Sequence, residues 1–250
     1  MHNKLQWLLL LFLLSSCQSI SRSGTDLHIP PSLVYFSFDD GPDGQGDTTA
    51  RLLDVLKKYE IRALFCLLGV NAEYYPDLVK RIYDEGHYLV NHGYSGKHAY
   101  RMNDVEFTNN LVRGTEAISS ALGFEVNPKL YRPHGGFYKS RQEQICIDKG
   151  YTIVPVTVRV YDAIIAGEER DYVVWSVIEK LEKQNGGIIL LHDGRDSHFR
   201  SEKNLAKKTN SYYDRSWIPE TVEEIITILL KKGFILNSPD VLTAFSIKGE

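Results

Sequence analysis

The chain has 250 residues, a formal net charge of -3 and 43% hydrophobic residues. That apolar fraction is too high for a disordered chain, and charges of both signs scattered along the sequence leave no basic stripe for nucleic acid. Three cysteines cannot build the disulfide framework of a small secreted domain.

The first 17 residues, MHNKLQWLLLLFLLSSC, carry one lysine and then a leucine-rich run. The run has signal-peptide length and falls short of the ~20 apolar residues a spanning helix needs. Its ending, Leu14-Ser15-Ser16-Cys17, resembles a bacterial lipobox, in which Cys17 is acylated and becomes the new N-terminus. An ordinary secretory signal with an incidental Cys17 is the other reading. Either way an exported protein is expected. The lipobox adds a lipid anchor in the bacterial envelope, and Gln18 lacks the aspartate type of inner-membrane retention signal, which suits an outer-membrane or periplasmic-face location. A polar linker is expected over residues 18–32 and one domain over 33–250, monomeric by default.

Within that domain short β-rich runs alternate with amphipathic ones. LVYFSF (33–38) predicts a strand and DTTARLLDVLKKYE (47–60) a helix. RALFCLLG (62–69) predicts a strand, YYPDLVKRIYDEG (74–86) a helix closed by Gly86, and HYLVNHG (87–93) a further strand. A long helix is expected from about Asn103 to Leu122, then a helix over KSRQEQICIDKG (139–150) and a strand over YTIVPVTV (151–158). DYVVWSVIEKLEKQNG (171–186) predicts a helix, GIILLHDG (187–194) a strand, and IPETVEEIITILLKKG (218–233) a final helix leading to FILN. Apolar, non-alternating strands separated by helices imply a parallel α/β sheet, closed as a barrel or open and doubly wound. In both, the functional face is the C-terminal end of the strands. Asp39 and Asp40 end one strand, His92 another, Arg132 follows a third, and His192 and Asp193 end a late one. The polar segment 195–216 falls on the same face. Cys66 and Cys146 sit in apolar runs and read as separate buried thiols, with one oxidised pair as the alternative in an exported protein.

The adjacent carboxylates Asp39 and Asp40 are the sharpest feature. Two such groups do not both ionise in a half-buried place without a cation beside them. Arg132 is one candidate, and a divalent metal held by a carboxylate and an imidazole is another. Zinc takes Asp oxygen and His nitrogen with a water in an open position. Taken singly, a paired Asp at a strand end or a lone His92 or His192 reads as capping or core.

In this order the motifs SFDDG, VNHGYSG, YRPHGG, VRVYDA and LLHD resemble those of the NodB-type polysaccharide deacetylases, carbohydrate esterase family 4, from about Leu33 to Phe234. The resemblance implies a distorted (β/α) barrel of about seven parallel strands and a metal-dependent hydrolase removing acetyl groups from a polysaccharide. It implies Asp39 as general base, Asp40 and His92 as metal ligands, and Arg132 as the partner that keeps the base ionised. It further implies Gly135 as a backbone oxyanion donor, Asp162 as the carboxylate tuning His192, His192 as general acid, and Leu190 as a wall of the acetyl pocket. The expected ion is zinc, with cobalt, nickel or manganese as alternatives. The expected partner is an N-acetylglucosamine-containing polymer. An O-acetyl esterase acting on xylan or exopolysaccharide and a degenerate glycan-binding lipoprotein are the competing readings.

Three positions depart from the family pattern. The second metal histidine, four residues after the first, is here Gly96, which has no side chain to ligate. His98 and His198 are its candidate substitutes. Ala163 stands where a tryptophan is common, with Trp217 or the Tyr212–Tyr213 pair as replacements. His134 stands where a proline or small residue is usual, next to the base, as a substrate contact, a further ligand or a space-filler.

Overall fold

The structure, a computed structural model, describes residues 20–22, 31–44, 47–127, 129–195 and 214–236. Its strands are β1 (Ile20–Arg22), β2 (Val34–Gly41), β3 (Leu64–Leu67), β4 (Tyr88–Asn91), β5 (Leu130–Tyr131), β6 (Phe137–Lys139), β7 (Thr152–Ile153), β8 (Val158–Arg159) and β9 (Gly187–His192). The helices are α1 (Thr48–Lys58), α2 (Gly69–Tyr74), α3 (Pro76–Asp84), α4 (Asp104–Leu122), α5 (Ser140–Asp148), α6 (Arg170–Gln184) and α7 (Ile218–Lys231).

Seven strands form one parallel sheet in the order β7-β5-β4-β3-β2-β9-β8. Its two edge strands, β7 and β8, are consecutive in the chain and joined only by residues 154–157. So short a link reaches at most about 18 Å, so the sheet curls until its edges approach each other. The result is a curled half-barrel of seven parallel strands, in keeping with the distorted (β/α) barrel that the resemblance implies.

The strands sort their residues by the two-residue period of a pleated sheet. On β2, Phe36 and Phe38 are fully buried in the large core between sheet and helices, with Leu52, Leu56, Ile225 and Leu229. Tyr35 faces the other way, into a smaller inner cluster with Leu64, Cys66, Val90, Leu130 and Ile188. Each inner series turns polar toward the C-terminal end: Tyr35–Ser37–Asp39, Val90–His92, Leu130–Arg132, Ile188–Leu190–His192. The barrel is plugged with apolar side chains at its base, and its mouth is lined with chemistry. A strand can therefore end in acid without weakening the core that its first half builds.

Several elements differ from expectation. The helix expected over 74–86 is α3, opened by Pro76 where its missing N–H costs nothing, and a short helix that was not expected, α2, precedes it. YTIVPVTV is split into β7 and β8 because Pro155 cannot donate to a ladder. Within the expected linker, β1 pairs antiparallel with β6. FILN supplies a single bridge, Leu33 to Ile235. The expected Asn103 cap is present as a capping box: Glu106 N donates to Asn103 Oδ1 at 2.9 Å and Asn103 N to Glu106 Oε2 at 3.1 Å. Cys66 and Cys146 are both free and buried. Cys17, His198 and the Tyr212–Tyr213 pair lie outside the described residues. Among the described residues no helix is long and apolar enough to cross a membrane.

Candidate active site

Strand alternation would send Asp39 and Asp40 to opposite faces of β2. The register between β2 and β3 shifts between Asp39 and Gly41, and Asp40 adopts φ 69°. This is a β-bulge, whose extra residue re-aims a side chain at local conformational cost. Asn71 Nδ2 holds the displaced Asp40 carbonyl at 2.6 Å. Gly194 packs so closely on that carbonyl that a Cβ would collide with it. As a result both carboxylates face His92: Asp39 Oδ2 is 3.5 Å and Asp40 Oδ1 3.6 Å from its Nε2.

Asp39 is buried beside Arg132, whose Nη1 donates to its Oδ1 at 2.7 Å. The same guanidinium donates to Ser37 Oγ at 2.8 Å and to the Pro155 carbonyl at 3.1 Å, which fixes its orientation. Burial alone would raise the Asp39 carboxyl; the Arg132 charge, with His92 and His192, outweighs it and holds the group below the usual carboxylate range. The site thus contains a buried carboxylate held in its ionised form.

His192 ends β9, level with Asp39 across the ladder. Asp162, wholly buried, accepts from the His192 backbone N at 2.7 Å and from its Nδ1 at 3.0 Å. Burial disfavours the imidazolium, yet the charge and hydrogen bond of Asp162, with Asp40 and Asp39 beyond, push the ring up to about 9. With Nδ1 committed to Asp162, Nε2 is the nitrogen left for proton transfer. Asp193, the next residue, points away by strand alternation and accepts from Thr49 Oγ1 at 2.6 Å.

The structure brings together a group of possible metal donors that includes neither of the substitutes named for Gly96 but does include His134, the further ligand considered from the sequence. Asp40, His92 and His134 each offer a donor atom within 4.8 Å of the others, and among the described residues they are the group able to hold a metal ion. His134 Nε2 lies 3.3 Å from Asp40 Oδ1, beside the 3.6 Å to His92 Nε2. Tetrahedral ligands at ~2.1 Å from an ion stand about 3.4 Å apart, so the spacing fits. Asp40 Oδ1 is buried without a hydrogen-bond partner, as a ligand oxygen would be without its ion. His92 Nδ1 donates to the Arg132 carbonyl at 2.8 Å, which turns the Nε2 lone pair inward. Burial drives His92 toward its neutral, ligating form against the pull of Asp39. Burial opposes ionising Asp40, but its contact with His134 and the fields of His192 and His92 keep its carboxyl strongly depressed. His98, one of the candidate substitutes for Gly96, packs its ring edge-to-face on His134 with centroids 5.2 Å apart.

Among the pocket residues, Leu190 is partly exposed on the inner face, two residues before His192, as a pocket wall requires. Gly135 has φ 80° and no room for a Cβ, which would strike His98. Trp217 is placed against Gly167 at the edge of the outer core, its Nε1 donating to the Asp214 carbonyl at 2.8 Å. The segment around Ala163 is held by Arg215, which donates to the carbonyls of Asp162 at 3.1 Å and Ala163 at 2.7 Å. Sequence reasoning missed Ser37, Asn71 and Arg215. Ser37 was within reach as the inward position two before Asp39; Asn71 lies on an unanticipated helix, and no local signal ties residue 215 to 162.

Comparison with known proteins shows the family to which this fold belongs. The family model described as polysaccharide deacetylase matches residues 28–154, just over half of the chain. The chain belongs to the polysaccharide deacetylase family. It is 32% identical over 175 residues to a peptidoglycan-N-acetylglucosamine deacetylase of Bacillus cereus, covering 70% of this chain and 61% of the relative. It therefore spans about three fifths of that relative's length. A solved peptidoglycan N-acetylglucosamine deacetylase shares the fold at TM-score 0.63 and 26% identity, over 84% of this chain and 91% of that one. A family 4 acetyl xylan esterase of Clostridium thermocellum, solved with a cobalt ion, superposes at TM-score 0.60 and 25% identity, over 80% of this chain and 85% of that one. The family match ends before Asp162 and His192; the structural matches cover more of the chain than the family match does.

Proposed function

We propose that this deacetylase-family protein is a metal-dependent hydrolase that removes N-acetyl groups from an N-acetylglucosamine-containing envelope or extracellular polysaccharide. The observation that carries the reading is the convergence, at one end of the half-barrel, of a carboxylate held ionised (Asp39 with Arg132), an imidazole held protonated (His192 with Asp162), and three metal-type donors between them. A glycan-binding protein has no chemical need for all three.

Asp40, His92 and His134 would hold the ion, with zinc favoured by the oxygen-and-imidazole donor set and cobalt, nickel or manganese also compatible. A bound divalent ion supplies a Lewis acid that polarises the acetyl carbonyl and acidifies water. Asp39, poised 3.5 Å from His92 Nε2, takes the proton of the attacking water. The Gly135 backbone N–H stabilises the developing oxyanion, and Leu190 shapes the acetyl pocket. His192 Nε2 gives its proton to the leaving amine, and Asp162 stabilises the ring throughout. No covalent intermediate is required.

The lipid anchor at Cys17 and an envelope location belong to the same proposal, on the strength of the Leu14-Ser15-Ser16-Cys17 motif. Labelling cells with radioactive palmitate tests it: the label should appear on the wild type and vanish in Cys17→Ser. Activity is tested on residues 18–250 stripped with chelator, titrated with zinc, and offered N-acetylglucosamine oligomers and peptidoglycan fragments. Acetate release that requires zinc and is lost in Asp39→Asn supports the reading. Release only from O-acetylated xylan would replace it with the esterase, and no release from any substrate would leave a binding protein.

A further inference from the structure

The three candidate metal donors are not equally supported. Asp40 sits on a bulge pinned by Asn71, and His92 follows β4 directly, with its Nδ1 tied to the Arg132 carbonyl. His134 is carried by a loop between β5 and β6, and the two residues after it, Gly135 and Gly136, have φ 80° and 75°. Paired glycines in the left-handed region give a loop its turn but little stiffness. A ligand there needs an external clamp, since ligand geometry must be held to a fraction of an ångström.

His98 is placed to be that clamp. The rings of His92, His134 and His98 follow one another edge-to-face, with centroids 5.1 and 5.2 Å apart. Tyr100 closes the row behind His98 at 5.7 Å. The His98 ring also lies on the bare Cα of Gly135, in space only a glycine leaves open. The backbone next to it grips the same loop: Ala99 N donates to the His134 carbonyl at 3.2 Å. That segment is anchored in turn by Gln142 Nε2, donating to the Ala99 carbonyl at 2.8 Å, and by Lys139 Nζ, donating to the Met102 carbonyl at 2.8 Å.

We propose that His98 is a positioning residue which holds the His134 ring in its ligating orientation by packing against it, so that residues 98–102 act as the outer layer of the metal centre. This rests on the reading of Asp40, His92 and His134 as the ligands. The role differs from ligation: His98 contributes ring volume and stiffness rather than a donor atom. Outer-layer partners of metal ligands are typically worth about 10- to 100-fold in affinity.

The test is zinc affinity of the metal-stripped full domain, measured by competition with a chromophoric chelator, with thermal melting to confirm folding. The cobalt(II) absorption spectrum serves as a second readout of ligand geometry. His134→Ala should weaken zinc binding by about 100-fold or more. His98→Ala should weaken it by about 10-fold and alter the cobalt bands. His98→Phe, which keeps an edge-on ring, should stay within about threefold of wild type with an unchanged cobalt spectrum. A His98→Ala protein that binds zinc like wild type, while His134→Ala does not, overturns the clamp and leaves the ligand set standing. A loss in His98→Phe as large as in His98→Ala also overturns it. Unchanged affinity in His134→Ala overturns the ligand assignment and the clamp together.

Discussion

Two buried carboxylates in this site each meet a basic partner at hydrogen-bond distance, Asp39 with Arg132 at 2.7 Å and Asp162 with His192 at 3.0 Å. The pairs look alike but do opposite work, because only one partner titrates near neutrality. Arginine never gives up its proton in a protein, so the charge that stabilises Asp39 is constant and Asp39 is the group free to accept a proton. Histidine does give up its proton, so the charge on Asp162 is spent on keeping His192 loaded, up to about 9. Swapping the basic partner converts one geometry from a base holder into an acid.

The largest effects should come from removing the reacting groups. Asp39→Asn keeps an acceptor for Arg132 yet cannot take a proton, and should lower kcat about a thousandfold with little change in KM. His192→Ala should cost a similar factor on a poorly leaving amine, and much less on an activated ester whose leaving group needs no proton. Equal losses on both substrates would show that His192 acts by placement and not by proton transfer.

Removing the partners should cost less and shift pH profiles in opposite senses. Arg132→Gln relieves Asp39 of the charge that depresses it. Its carboxyl rises, so the acid limb of kcat/KM, where the base becomes protonated, moves to higher pH. The buried carboxylate also loses its counter-charge, at about 3–5 kcal/mol of stability. In Asp162→Asn the imidazolium loses its principal support. Its pKa falls, so the alkaline limb, where the acid loses its proton, moves to lower pH. A shift of both limbs in the same direction in either variant would break the distinction between the pairs.

Much of this division was legible in the sequence. The parallel sheet follows from apolar strands between amphipathic helices, its curling into a barrel only from the resemblance to the deacetylases, and Asp39, His92, Arg132 and His192 each fall where an inward series reaches the C-terminal end of its strand. What was not legible depended on backbone irregularity or on contacts between distant loops. No periodicity announces that Asp40 sits on a bulge, and without it the two acids would face opposite sides of β2. Gly96 signalled that a ligand was missing but not where its replacement lay. His98 and His198 were its candidate substitutes and His134 a possible further ligand, and of these the structure places His134, from the neighbouring loop, within ligating distance of Asp40 and His92. Pro155 was in view and its effect on YTIVPVTV could have been foreseen.

The smallest effect expected tests the same contrast with the carboxylate absent. His87 lies at the start of β4, at the opposite end from His92, buried and accepting the Ala63 N–H on its Nδ1 at 3.2 Å. Burial, with Arg62 and Arg81 nearby, pushes it down to about 4, whereas Asp162 lifts His192 to about 9. A depressed histidine is neutral in the fold but takes up a proton in the unfolded chain near 6.5. Its stabilising contribution is therefore complete above that pH and is lost as pH falls toward 4, at about 2 kcal/mol between pH 7.5 and 5. His87→Gln, which retains an acceptor for Ala63, should remove that part of the acid sensitivity in urea melts while leaving the pH profile of catalysis unchanged. If the variant lost stability on acidification as steeply as wild type, His87 would not be held neutral in the fold by its burial and its arginine neighbours.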